Sequence, residues 1–239
     1  MSRVFIVPDV HLKPWMFKKA TELIKIGEYD RVVFLGDLVD DFNQEKNLEL
    51  YEETFEAIYD FLEEFPDTLY CIGNHDISYV WQERESGYSD YAREIVCEGM
   101  SRIRNMLPEG NIAFIHRIDN TLFSHAGLTM KFVLRYFGRG PKLEIDELLR
   151  DINNLGRDEL WSEIYATPIW ARPQSQYDNG KLYPWDMFQV VGHSPVERPL
   201  LDGKLLTLDT FSTHYNGTPY GNQKFVWVDT VTGEYCYAE

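Results

Sequence analysis

The sequence predicts an α/β protein. Short runs rich in Val, Ile and Phe alternate with segments of helical periodicity, and the apolar runs end at Asp, Asn or His. The chain has 239 residues, of which 44% are hydrophobic and 15% aromatic, enough for one sizeable core. We therefore expect a single domain over residues 1–239.

The first half of the chain alternates between predicted strands and helices. Residues 3–11, 31–40 and 68–76 are apolar runs that predict strands. Between the first two runs, Pro14 is tolerated in the first turn of a helix that we expect to continue to about Ile26. The clearest helix spans residues 47–65, because one of its faces is apolar at helical spacing: Leu48, Tyr51, Phe55, Ile58 and Leu62.

The second half of the chain is richer in strands. After a polar helical region at 89–107, residues 111–127 predict two strands joined by a turn at Asp119-Asn120. Residues 128–185 are aromatic and punctuated by Pro and Gly, which predicts helices and substrate-facing loops. Further strands are expected at 187–195, 204–210 and 224–237, the last segment folding back around Thr232-Gly233.

The overall composition limits the partners. A formal charge of −16 argues against broad nucleic-acid binding. The three cysteines are too widely spaced for a disulfide framework or a zinc motif, which favours a reducing cytoplasm. The chain begins with an apolar strand instead of a secretory leader, and it contains no apolar run near the ~20 residues that a membrane helix needs. We expect a cytoplasmic protein without a membrane partner.

Polar side chains follow one predicted strand after another. They are Asp9, His11, Asp37, Asp40, Asn74, His75, Asp76, His125 and His193. In an open α/β sheet, ligands bind beyond the carboxyl ends of the strands. A single Asp in such a position is often only a turn residue or a helix cap, but five strands with this ending favour a metal site.

The motifs DVH, GDLVD, GNHD, SHAG and GHSP occur in this order between residues 9 and 195. Together they resemble the signature set of the calcineurin-like metallophosphoesterases. They are most similar to the phosphoprotein-phosphatase branch, which includes the phage-type protein phosphatases and the symmetrical diadenosine-tetraphosphate hydrolases. The resemblance implies a four-layer α-β-β-α sandwich of two mixed sheets with flanking helices.

The resemblance also implies a dinuclear metal centre. Asp9 and His11 would bind one ion, Asp37 would bridge it to a second, and the second site would be completed by Asn74, His125 and His193. Carboxylate, imidazole and amide ligands suit two divalent ions, with Mn²⁺ first and Fe or Zn²⁺ as alternatives. A metal-bound hydroxide would attack the phosphoryl group. In the family the His of GNHD protonates the leaving group, which assigns His75 as the acid and Asp40 as the carboxylate that orients it.

The sequence departs from this family pattern in places that concern the substrate. Asp41 stands where the phosphatase branch usually has an Arg that holds the substrate phosphate. Arg172 lies where related phosphatases place another phosphate-binding Arg, although a surface Arg stacked on Trp170 is the alternative. GHSP lacks the second His that is common in nucleases. The basic segment 131–142 fits either recognition of an anionic substrate or a solvated helix face.

The expected function is hydrolysis of phosphomonoesters, as in Ser/Thr phosphatases, on a phosphorylated small molecule, nucleotide or phosphoprotein. The main alternative is a dinucleoside polyphosphate hydrolase of the diadenosine-tetraphosphate type. Aromatic side chains are available to stack an adenine: Trp15, Tyr79, Trp81, Trp170 and Trp185. A nuclease is disfavoured by the charge, and an inactive binding module by the complete set of family ligands.

Overall fold

The computed structural model describes residues 2–138, 144–174 and 181–239. Its strands are β1 Arg3–Val7, β2 Arg31–Phe34, β3 Leu69–Cys71, β4 Ile112–Ala113, β5 Ile115–Ile118, β6 Thr121–Ser124, β7 Phe188–Val191, β8 Leu200–Asp202, β9 Leu205–Thr207, β10 Val226–Asp229 and β11 Tyr235–Tyr237. Its helices are α1 Trp15–Ile26, α2 Leu48–Glu64, α3 Asn74–Trp81, α4 Arg93–Met106, α5 Met130–Phe137, α6 Ile145–Asn153 and α7 Arg157–Leu160.

The strands form two mixed sheets. The six-stranded sheet has the order β11-β10-β1-β2-β3-β4, and the five-stranded sheet has the order β5-β6-β7-β9-β8. Strands β1 to β4 pair in parallel, as do β6, β7 and β9, while the outer strands β5, β8, β10 and β11 pair antiparallel to their neighbours. The carboxyl ends of parallel neighbours therefore meet at a common edge of each sheet.

Alternation along β1 shows how the layers are built. Val4 and Ile6 pack between the sheets with Phe123 and Val190 of the second sheet. Phe5 and the other side chains of alternate parity face the opposite way, against helices α1, α2 and α4. On the far side, α5 and α6 bury their apolar faces against the five-stranded sheet. The predicted four-layer α-β-β-α sandwich is confirmed.

The apolar run at 111–118 does not form one strand. It breaks at Phe114, and its halves β4 and β5 join different sheets. The side chain of Asn153 holds the crossing point, because its Oδ1 accepts from the Phe114 and Ile115 amides, each at 3.0 Å, and its Nδ2 donates to the Ile115 carbonyl at 2.9 Å. The predicted hairpin through Asp119-Asn120 is confirmed by the antiparallel pairing of β5 with β6.

The third predicted strand is shorter than expected. It ends at Cys71, and Asn74 opens the first turn of α3. Residue Gly73 is the N-cap of this helix, and its amide donates to Asp76 Oδ2 at 3.0 Å. The polar triplet Asn-His-Asp therefore lies on a helix and not on a strand end, which gives its side chains helical spacing.

The basic segment and the prediction about membrane helices can also be compared with the structure. The basic segment 131–142 begins in α5, and its residues 139–142 lie outside the described residues. Within the part of the chain that the structure describes, no helix has the length and apolar character needed to cross a membrane.

Candidate metal centre

Two groups of ligand-type side chains meet where the strands of both sheets end. One consists of Asp9, His11 and Asp37, and the other of Asp37, His125 and His193; within each group the ligand atoms lie within 4.8 Å of one another. Only Asp37 belongs to both of these groups. A carboxylate with two oxygens can therefore face two adjacent positions, as a bridging ligand must.

The second group has the spacing of ligands around one ion. The Nε2 atom of His125 lies 3.2 Å from Asp37 Oδ2, 2.9 Å from Asn74 Oδ1 and 3.1 Å from His193 Nδ1. Atoms that each bind one ion at 2.0–2.2 Å are about 3 Å apart. The amide oxygen of Asn74 thus completes this group, 3.1 Å from His193 Nδ1.

Backbone carbonyls fix the imidazole tautomers. The Nδ1 atom of His11 lies 2.8 Å from the Asp40 carbonyl, and Nδ1 of His125 lies 2.8 Å from the Leu35 carbonyl. Because a carbonyl oxygen only accepts, both Nδ1 atoms carry the proton. The Nε2 atoms are left with a lone pair, and both lie near Asp37, His11 Nε2 at 3.8 Å from its Oδ2. This is the usual way in which a protein orients a ligating histidine.

Buried atoms without a partner show that the residues fit a metal. Among the described residues, Asp9 Oδ2 and His193 Nε2 are buried with no hydrogen-bond partner, as is Thr210 Oγ1. Buried polar groups are nearly always satisfied, so an orphaned carboxylate oxygen beside ligand-type side chains fits a residue that binds a cation. A Cβ added at Gly192 would lie 2.0 Å from that same Asp9 oxygen, so the chain keeps this place free of side chains.

The charges of the centre also call for cations. Burial and the nearby Asp209 carboxylate raise the pKa of Asp9, whereas the pKa of Asp37 is lowered, because the imidazoles of His125 and His75 outweigh its burial. Burial opposes protonation of His125, but Asp37 raises its pKa to about 9. The buried carboxylates and imidazoles thus compensate each other's charge, and divalent cations would take the place of the imidazole protons.

The loop that carries Asp37 is held by Asp76. The carboxylate of Asp76 accepts from the Asp37 amide at 2.8 Å and from the Leu38 amide at 2.7 Å. The first turn of α3 also contributes, because the His75 amide donates to Asp37 Oδ1 at 3.0 Å. These bonds offset backbone strain, since Asp37 has a positive φ of 49°. Asp76 therefore caps α3 and supports the loop that carries Asp37.

His75 and Asp40 form a separate pair beside the ligands. The His75 Nδ1 atom lies 3.0 Å from Asp40 Oδ2, and both side chains are buried. Burial would lower the pKa of His75, but Asp37 and Asp40 outweigh it and raise the pKa to about 10. The other oxygen of Asp40 accepts from the hydroxyls of Tyr51 at 2.9 Å and Tyr79 at 2.5 Å.

The centre opens into a cavity of about 350 Å³. Arg172 lines it, and its Nη1 donates to Ser194 Oγ at 3.1 Å and to the His193 carbonyl at 3.3 Å. Asp41 lines it too, but its charge is compensated: Lys13 Nζ lies 3.1 Å from its Oδ2, and Thr213 donates to its Oδ1. Of the aromatic residues considered for stacking, Trp170 lines the cavity.

Two remaining histidines lie apart from the centre. His116 is buried, with Nε2 3.1 Å from the Tyr70 carbonyl. His214 packs its ring on Tyr220 with centroids 4.8 Å apart, and the residues that line the cavity do not include it.

Sequence reasoning missed three kinds of site residue. Asp209 follows β9, lines the cavity and has a pKa raised by burial, so the rule applied to the other strand ends could have found it. The hydroxyls that donate to Asp40 belong to Tyr51, which was predicted only on an apolar helix face, and to Tyr79, which was considered only for stacking. Lys13 is buried beside Asp41, and no motif marks this pair.

Solved phosphatase structures share the fold. A protein-tyrosine phosphatase from a psychrophilic Shewanella species aligns over 100% of this chain and 81% of its own, with 16% identity and a TM-score of 0.57. A protein serine/threonine phosphatase from Saccharomyces cerevisiae aligns over 95% of this chain and 72% of its own, with 15% identity and a TM-score of 0.55. Among curated protein sequences none matches the chain. The sequence model of the calcineurin-like phosphoesterase family matches residues 2–217 of this chain. The chain therefore belongs to this family of metal-dependent phosphoester hydrolases.

Proposed function

We propose that the protein hydrolyses phosphomonoesters with two divalent ions. Asp9 and His11 would hold the first, Asn74, His125 and His193 would hold the second, and Asp37 would be shared by both sites. The observation that carries this proposal is the place of Asp37 in both ligand groups, with the His75–Asp40 pair at their edge. We propose Mn²⁺ first for both positions, because carboxylate and amide oxygens suit it, with Fe or Zn²⁺ as alternatives that imidazole ligands favour.

The ions, when bound, polarise a phosphoryl oxygen and supply a nucleophile at neutral pH. The chain's own acid is His75. Asp40 occupies its Nδ1, so the proton on Nε2 remains available for the oxygen of the leaving alcohol. Arg172 binds the remaining phosphoryl oxygens, and its contact with Ser194 holds the guanidinium at the cavity wall.

The charge around the cavity favours a substrate with a single phosphate. Six acidic side chains line it, and Arg172 is the one Lys or Arg among the described lining residues; the acidic residues are Asp37, Asp40, Asp41, Glu85, Glu163 and Asp209. A dinucleoside polyphosphate carries several negative charges and would need more cations than this wall provides. The presence of Trp170 in the lining keeps the polyphosphate as the second candidate, because its ring can stack a base.

We also propose that the protein is cytoplasmic. Cys71, Cys97 and Cys236 are all free thiols, which favours the reducing cytoplasm.

The test combines metal analysis with a substrate panel. The purified protein is stripped with chelator, reloaded with Mn²⁺ and assayed on an alkyl phosphate, nitrophenyl phosphate and diadenosine tetraphosphate. We expect activity only after reloading and the highest kcat/KM on a monoester. Full activity in the chelated protein would refute the metal mechanism, and a strong preference for diadenosine tetraphosphate would favour the second candidate.

His75→Asn separates the acid from the ligands. We expect kcat on the alkyl phosphate to fall ~10²–10⁴-fold, with a much smaller loss on nitrophenyl phosphate, whose leaving group needs no proton. Metal content should stay at the wild-type value, and a variant that has lost an ion would show that His75 is a ligand.

A further inference from the structure

The carboxylate of Asp40 has a contact on each of its two oxygens. Oδ2 faces His75, and Oδ1 accepts from two phenol hydroxyls, those of Tyr51 and Tyr79. Asp40 is only 1% exposed, so its charge has these partners in place of water. Both oxygens of the carboxylate are therefore engaged by hydrogen-bond partners.

The proton of the Tyr79 hydroxyl has a fixed direction. Its oxygen accepts from the Ser89 amide at 2.9 Å, so its own hydrogen points to Asp40. Ser89 is held in turn, because its hydroxyl donates to the Glu45 carbonyl and accepts from the Ala92 amide at 2.9 Å. The ring of Tyr79 stacks on Tyr88 with centroids 4.3 Å apart.

The donor Tyr79 and the proposed acid His75 lie on the same helix. Tyr79 comes four residues after His75 on α3, and side chains at this spacing lie on the same face of a helix. Tyr51 approaches the same oxygen from α2. Both phenols remain donors, because burial and the charge of Asp40 raise the pKa of each hydroxyl.

We propose that Tyr51 and Tyr79 are positioning residues, whose hydroxyls hold the Asp40 carboxylate in the orientation that points His75 at the leaving group. Neither tyrosine touches a ligand of the metal centre in the contacts described above. Their effect reaches the reaction through Asp40 and His75 alone. The inference rests on the proposed function, because it assigns a task within the proton transfer from His75.

Tyr79→Phe and Tyr51→Phe test the positioning role, because each substitution removes one hydroxyl that donates to Asp40. A hydrogen bond to a charged group stabilises more than one between neutral groups. We therefore expect kcat on an alkyl phosphate to fall ~10–100-fold for Tyr79→Phe, with KM and metal content unchanged. Loss on nitrophenyl phosphate should be under ~3-fold, since that leaving group departs without an acid. Tyr59→Phe is the matched control, because Tyr59 is also buried on α2 but packs against Arg102.

A second readout does not depend on activity. The Nδ1 proton of His75 is assigned by its absence in His75→Asn, using ¹⁵N-labelled histidine in the full chain with diamagnetic Zn²⁺. We expect this signal to shift or broaden in both tyrosine variants and to stay unchanged in Tyr59→Phe.

The outcomes separate the two proposals. If the wild type hydrolyses no phosphomonoester, the proposed function fails, and the histidine signal still decides the positioning role. If the wild type is active and His75→Asn shows its dependence on the leaving group, but both tyrosine variants match Tyr59→Phe in kinetics and in the signal, the positioning role is overturned while the function stands.

Discussion

Gly192 offers a stringent test of the metal centre, because a methyl group added there meets the carboxylate of Asp9. A Cβ at this position would lie 2.0 Å from Asp9 Oδ2 and 3.0 Å from Oδ1. Carbon and oxygen need more than 3 Å, so the carboxylate must move by roughly 1 Å. It would also lose its bond from the His193 amide, which is now 2.8 Å long.

A displacement of this size is large for a catalytic group. A misplacement of about 1 Å costs ~10²-fold in rate, so we expect kcat of Gly192→Ala to fall at least that far, with loss of the ion at Asp9. The backbone itself is not the cause, because Gly192 is not among the residues with positive φ. Steady-state kinetics on nitrophenyl phosphate and metal analysis after gel filtration measure the two effects.

Gly156 provides the matched control. Its φ is −100°, and an added Cβ would have Glu159 Oε2 as its nearest neighbour at 3.5 Å. Gly156→Ala should therefore keep its rate and its ions. If Gly192→Ala also retains both, then Asp9 does not need its present position and the reasoning about the first site is wrong.

Three further predictions concern other parts of the molecule. Asp37→Asn should lower the content of both ions, whereas His193→Ala should lower that of the second site alone; metal analysis with equal losses in the two variants would contradict a bridging role. Arg172→Ala should lower kcat/KM ~10–100-fold at unchanged metal content, and a wild-type kcat/KM would remove Arg172 from the substrate site. Burial lowers the pKa of His116 from 6.5 to about 4. As the pH falls below 6.5 the unfolded chain takes up this proton before the folded protein does, so the folded protein loses stability between pH 6.5 and 4. Between pH 7 and 5, urea unfolding should show the wild type losing about 2 kcal/mol more than His116→Gln, with His214→Gln as the exposed control; equal losses in the two proteins would contradict this assignment.

The gathering of the candidate ligands could be predicted from sequence because it depends on strand direction alone. Once β1, β2, β6 and β7 are strands with parallel neighbours, Asp9, Asp37, His125 and His193 must arrive at one edge. The exact ends of the strands hardly matter for this. A helix that begins at Asn74, where a strand was predicted to continue, leaves its side chain in the same place.

The support of the acid could not be predicted in this way. Tyr79 and His75 lie on one face of α3 because they are four residues apart on a helix. A strand predicted over residues 68–76 gives no such relation between them. The same holds for Lys13 and Asp41, which are 28 residues apart and meet through loops after two different strands. Such contacts are set by the left-handed turns of those loops, where Leu12 has a φ of 57°. No periodic pattern encodes them.

The centre also explains why the two sheets must pack in one register. The six-stranded sheet supplies Asp9 and Asp37, and the five-stranded sheet supplies His125 and His193, so the ligand groups span the seam between them. The His193 amide reaches across this seam to Asp9, and the His125 ring reaches the Leu35 carbonyl. A slide of one sheet against the other would break these bonds and separate the imidazoles from the carboxylates they compensate. The buried charges therefore fix the same sheet alignment that the apolar contacts between the layers allow, and the proposed ligands contribute to the fold as well as to the candidate site.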